Sequence, residues 1–196
     1  MSDFHLAAYT FNRFLDRYQS DRVKGFREAE PAAFAAMDAA DGLVGRSGYD
    51  GEPGPASWGP QVFPKYWEDN GDGFAPSTLS LWRSIEALMA ATYHGPHGQA
   101  FRQGARWHVR PTPFPAYVLW WTPYGHRPDW RDAVSRLERL GDQGPTPATF
   151  TFKTAYSPDG TVYHPDVELI KNLARLNAAR VNARRVRPQT FFGPLL

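Results

Sequence analysis

There is no cysteine in the 196 residues of this chain. Disulfides, a thiol nucleophile and thiolate metal sites are therefore excluded, and the absence fits a reducing compartment. A chain of this length can bury a stable core without cross-links. An excess of one charge is missing too: 22 Lys and Arg face 20 Asp and Glu, for a net charge of +2. That is too little to mark a nucleic-acid surface. No run approaches the roughly 20 apolar residues that a membrane span needs. The opening MSDFHLAAYTF has no basic region followed by a long apolar stretch, as a secretory signal would. The expectation is a cytoplasmic protein with neither membrane nor nucleic acid as partner.

Aromatic residues, by contrast, are abundant at 15%, with seven tryptophans. Such side chains dominate cores, interfaces and ligand pockets. Residues 4–11, FHLAAYTF, predict a strand. Val23, Phe26, Glu30, Phe34 and Met37 recur at helical spacing through 22–40, and Gly42 ends that helix. A second strand is expected at 42–49 and a third at 74–82. Between them, 50–73 is rich in Gly and Pro, and reads as a long ordered loop or a lid. Ser84 offers an N-cap to a helix that Gly95-Pro96 interrupts. Proline suits a helix's first turn, so a second piece is expected from there to about Trp107. AYVLWW (116–121) is the most strand-like run. Asp129 can cap a helix carrying Trp130, Ala133, Val134, Leu137 and Leu140, and the alternation of ATFTFKTAY (148–156) predicts a last strand.

Strand, helix, strand, strand, helix, strand is the order of an α+β, ferredoxin-like βαββαβ sandwich. One face of its sheet lies under helices, and the other is expected to bury against a second copy in a homodimer. Trp120 and Trp121 would then point to opposite faces, because side chains alternate along a strand. Residues 1–156 are expected to form the domain. Residues 157–196 add an amphipathic C-terminal helix and the apolar tail TFFGPLL, packed on the domain or on the partner subunit.

Several blocks in combination resemble a known family: LWRSIEAL (81–88), Tyr93, His97, RW (106–107), LWWTPYGHRP (119–128) and GPTPATFTF (144–152). The group is domain of unknown function 3291, and the resemblance spans about 1–155. It implies the dimeric α/β-barrel fold of antibiotic-biosynthesis monooxygenases and heme-binding relatives. Where that pattern carries Phe after Trp107, this chain carries His108.

His97 lies where the resemblance places a recurring histidine, at the start of a helix whose positive end disfavours the imidazolium. A neutral imidazole can serve as acid or base; the plainer alternative is a hydrogen bond to a loop carbonyl. His126, after a turn glycine, is a second catalytic candidate or a turn residue. Arg106, as a catalytic candidate, and Arg102 lie four apart and can hold a carboxylate or enolate, or form surface ion pairs. Trp82, Tyr93, Trp107, Trp120 and Trp121 can wall an aromatic substrate pocket, or simply form core. No metal site is expected, because Gly95-Pro96 separates His94 from His97 and no acidic residue lies nearby in sequence. The leading expectation is a small-molecule biosynthetic enzyme that needs no cofactor. His-assisted proton transfer there would drive oxygenation, cyclisation or isomerisation. The alternative is a non-catalytic protein that carries heme or a hydrophobic ligand.

Overall fold

A computed structural model describes residues 3–186. The TFFGPLL tail lies outside the described residues. The fold is α+β and grows from strand β1 (Phe4–Phe11). β1 pairs antiparallel with both β3 (Ser77–Trp82) and β4 (Tyr117–Pro123), and β2 (Leu43–Arg46) pairs antiparallel with β3. The sheet order is β2-β3-β1-β4. A central strand is covered on both sides, so it needs apolar residues at successive positions. Leu6, Ala7, Ala8 and Tyr9 are indeed all buried.

On one face, Leu6, Ala8, Trp82 and Leu119 pack with Ile85 and Leu88 of α2 (Ile85–Tyr93). Helices α1 (Lys24–Asp38) and α3 (Gly95–Gln103) lie beside one another on this side, and α3 also touches α2. On the opposite face, Ala7, Tyr9, Phe11, Leu79, Val118 and Trp120 meet α4 (Trp130–Gln143). α4 starts where expected, with the Asp129 carboxylate accepting from the Asp132 N–H at 2.8 Å. Its stripe Trp130, Ala133, Val134, Leu137 and Leu140 is buried.

The Gly- and Pro-rich segment extends this second layer. Trp58, Val62, Phe63, Tyr66 and Trp67 pack against the same cluster, and Tyr66 stacks on Phe114 at 5.1 Å. The expectation of an open sheet face awaiting a second copy is therefore corrected. α4 and residues from 50–73 bury that face within the chain.

A second correction concerns 148–156. The segment pairs with the β4 backbone through a single bridge, Leu119 with Phe150, in two hydrogen bonds of 2.8 and 2.9 Å. Its alternation is consumed by successive tight turns, Thr146–Thr149 and Thr151–Thr154. Only Ala155–Tyr156 forms a strand, β5, which pairs with β6 (Val162–Tyr163) in a separate hairpin. The expected boundary after 156 falls inside that hairpin.

Helix α5 (Val167–Val186) then lies against α2. No helix among the described residues is long and apolar enough to cross a membrane. Glu86 of α2 ties the C-terminal segment down. It is 2% exposed and accepts from the Tyr163 hydroxyl at 2.6 Å and the Asp166 N–H at 3.3 Å. Hydrogen bonds to a charged group contribute about 1.5–3 kcal/mol. Glu86→Ala should therefore lower the unfolding free energy by roughly 2–3 kcal/mol in urea titrations. An Ala variant as stable as the parent would mean that apolar contacts alone hold hairpin and helix.

Candidate functional site

Small residues face one another across the first layer: Ala8 on the sheet, Ala29 and Ala33 on α1, Ala100 and Gly104 on the α3 side. They leave a cavity of about 240 Å³ between sheet and helices. Thr10, Thr78, Ser80 and Trp82 are on the sheet side. The hydroxyls of Thr10 and Thr78 bond each other at 2.7 Å, and Trp82 Nε1–H donates to Ser80 at 2.9 Å. α1 contributes Phe26, Glu30, Phe34 and Met37 at helical spacing. None of its residues is fully buried, because this face looks onto the cavity.

The α3 wall also follows from periodicity. His97, Ala100, Phe101 and Gly104 recur on one side, and a short 3-10 turn at Gly104–Arg106 then delivers Trp107 and His108. α3 begins abruptly after His94, and a tight junction makes this possible. A Cβ at Gly98 would lie 2.4 Å from the Tyr93 carbonyl oxygen, so only glycine fits.

His97 makes the plainer bond that its sequence position allows: Nδ1 lies 2.8 Å from the Thr92 carbonyl oxygen. A carbonyl can only accept, so Nδ1 carries the proton and Nε2 keeps a lone pair. Burial holds the imidazole pKa below its ordinary value, and the Thr92 bond only partly opposes it. The ring is neutral at pH 7. Tyr93 stands beside it, edge-on to Phe101 and Phe152, and burial raises its hydroxyl pKa to about 12.

Of the residues singled out in the sequence, the cavity brings together Trp82, Tyr93, His97 and Trp107. The others lie elsewhere. Arg102 and Arg106 are exposed, since Gly104 and Trp107 take the inward positions of that turn. His126 is exposed in a turn closed by its N–H to the Pro123 carbonyl. Trp120 lies on the opposite sheet face beneath the Arg136 guanidinium at 5.0 Å. Trp121 faces the β5–β6 hairpin and donates to the Tyr156 carbonyl at 2.7 Å. No group of three or more His, Asp or Glu side chains that could hold a metal occurs among the described residues.

His108 is the wall residue that sequence reasoning missed as a candidate. Its signal was the histidine standing in a phenylalanine's place. Its ring stacks on Phe14 at 5.4 Å and packs edge-on to Phe26, as a phenylalanine would. Its Nε2 is buried with no partner. Glu30, Arg46, Tyr117 and Arg110 also line the cavity without having been singled out.

Burial, then the nearby Arg110 charge, pushes the His108 pKa down to about 4. The unfolded chain binds a proton near the ordinary value of about 6.5, so between these values it holds more protons than the folded one. Stability is present above pH 6.5 and is lost as pH falls toward 4. His108→Phe keeps the stacking and removes the titration. Between pH 7 and 4 the parent should lose roughly 3 kcal/mol more than this variant, read from urea midpoints. Equal losses would place that acid sensitivity elsewhere.

No curated protein and no solved structure matches the chain. The family described as domain of unknown function (DUF3291) matches residues 5–166, which include the four-stranded sheet except for its first residue, Phe4, and every residue lining the cavity. The chain belongs to that family.

Proposed function

We propose that the protein is a small-molecule enzyme in which His97 transfers a proton within an apolar, aromatic-walled cavity. The observation that carries this reading is the Nδ1–H bond to Thr92, which leaves Nε2 unprotonated on a ring lining the cavity. A neutral imidazole with a fixed tautomer is a general base, and such groups contribute about 10²–10⁴-fold to rate. Burial keeps this ring in its neutral, proton-accepting form, able to take a proton from an enolizable carbon acid or a phenol, the first step shared by cofactor-free oxygenation, cyclisation and isomerisation. The strand order β2-β3-β1-β4, with every neighbour antiparallel, supports a ferredoxin-like split βαββαβ core beneath this site.

The alternative is a binding protein without catalysis. Heme does not fit it: the cavity of about 240 Å³ is below the roughly 300–1,000 Å³ of pockets for drug-sized ligands. A smaller hydrophobic ligand does fit.

The two readings separate with 5-nitrobenzisoxazole, a flat molecule whose ring opens on loss of one proton and gives a coloured phenolate. The protein should accelerate opening over buffer. His97→Ala should remove about 10²-fold or more of that rate while costing only about 0.5–1.5 kcal/mol of stability. Rate should fall with acid, below the depressed pKa of His97. His126→Ala, an exposed turn substitution, should leave the rate unchanged. Tryptophan quenching by the probe without turnover would favour the binding protein, and a rate unaffected by His97→Ala would sink the catalytic assignment.

A further inference from the structure

One end of the cavity is chemically incomplete. Beyond the end of β1 the chain pairs with 107–109: Leu15 N–H donates to the Trp107 carbonyl at 2.8 Å, and Val109 N–H to the Arg13 carbonyl at 2.9 Å. This pairing gathers Asn12, His108 and Arg110 at the same end of the site, and all three line it. His97 lies in the first turn of α3, and Trp107 and His108 follow its end and the 3-10 turn, so the six steps from His97 to Gln103 alone separate them by roughly 9 Å of helical rise.

The three gathered groups lack protein partners. His108 is 9% exposed, and its Nε2 and the Asn12 Oδ1 are both buried without a hydrogen bond. Buried polar atoms left in this way are rare and costly unless something else satisfies them. Of the three charged side chains on the wall, Glu30 accepts from the Tyr18 hydroxyl at 2.7 Å. Arg46 is clamped by Asp38 through two bonds of 2.6 and 3.0 Å. Arg110 has no ion pair or hydrogen bond among the described residues.

From these unpartnered groups we infer that the ligand is a small aromatic carboxylate, its carboxylate held at the Asn12–His108–Arg110 end. The inference rests on the reading of this cavity as a small-molecule site. A carboxylate can accept from all three groups. The Arg110 guanidinium gives a charge-assisted, two-pronged bond. Asn12 can turn its amide to present N–H donors, and the imidazole can donate from one nitrogen. The rest of the cavity offers Phe26, Phe34 and Trp107 to a flat apolar body. Anchored by its acid group, such a ligand extends toward His97, which then meets its far end.

Benzoate and benzyl alcohol, equal in ring and near-equal in size, test this by calorimetric titration of the full chain. Benzoate should bind at least tenfold tighter than benzyl alcohol. Arg110→Gln should abolish that preference without changing benzyl alcohol affinity, and Arg110→Lys should restore part of it. Arg110 is exposed at the rim, so these variants keep the fold, which their melting curves verify. Equal binding of the two probes, or a benzoate preference that survives Arg110→Gln, overturns the carboxylate assignment and leaves the cavity as a neutral-ligand site. Binding of neither probe overturns the small-molecule site itself, and the carboxylate with it.

Discussion

Everything in this fold depends on β1 being buried on both faces. A central strand has no solvent side, so each of its faces demands its own layer of helix or loop. Leu6 and Ala8 require the α1–α2–α3 side, while Ala7, Tyr9 and Phe11 require α4 and the segment that carries Trp58 and Tyr66. The Gly- and Pro-rich insertion is thus structural rather than a cover for the cavity: none of residues 50–73 lines it. The same covering removes the reason for a second copy to close the sheet.

The cavity follows from what the first layer lacks. With Ala8 beneath and Ala29, Ala33, Ala100 and Gly104 above, short side chains on both sides leave a gap between the sheet and α1 and α3 that the larger wall residues line but do not fill. Protein interiors close such gaps unless something holds them open or fills them. Here the gap is also graded in polarity. One end carries His97, with its tautomer set by Thr92. The other carries His108, Asn12 and Arg110 without protein partners. The apolar middle, lined by Phe34 and Leu88, strengthens electrostatic interactions at both ends by excluding water. The proton transfer proposed at one end and the anchoring inferred at the other both use this layout.

Both histidines illustrate how a local pattern can be right about chemistry and silent about geometry. The position of His97 after Gly95-Pro96 announced a helix start, and the helix is there. The sequence allowed an acid–base role or a plain hydrogen bond to a carbonyl; the bond to Thr92 is there, and the same ring also lines the cavity. His108 was visible only as a departure from an expected phenylalanine. It keeps that residue's stacking on Phe14 while adding a buried nitrogen.

Local signals alone determined the elements whose codes are short in range. Asp129 and the stripe from Trp130 to Leu140 specify α4, Ser84 caps α2 through the Ala87 N–H, and AYVLWW makes a strand. The capping and periodicity of these elements need no distant partner. Tertiary structure decided what depends on contacts far apart in sequence. Alternation in 148–156 did not make a sheet strand, because threonine-closed turns satisfy that backbone first. Arg102 and Arg106 left the site because Gly104 and Trp107 claim the inward side of one turn. Trp120 and Trp121 point apart, as any strand requires, but only the packing of α4 on one side and the β5–β6 hairpin on the other decided what each ring meets.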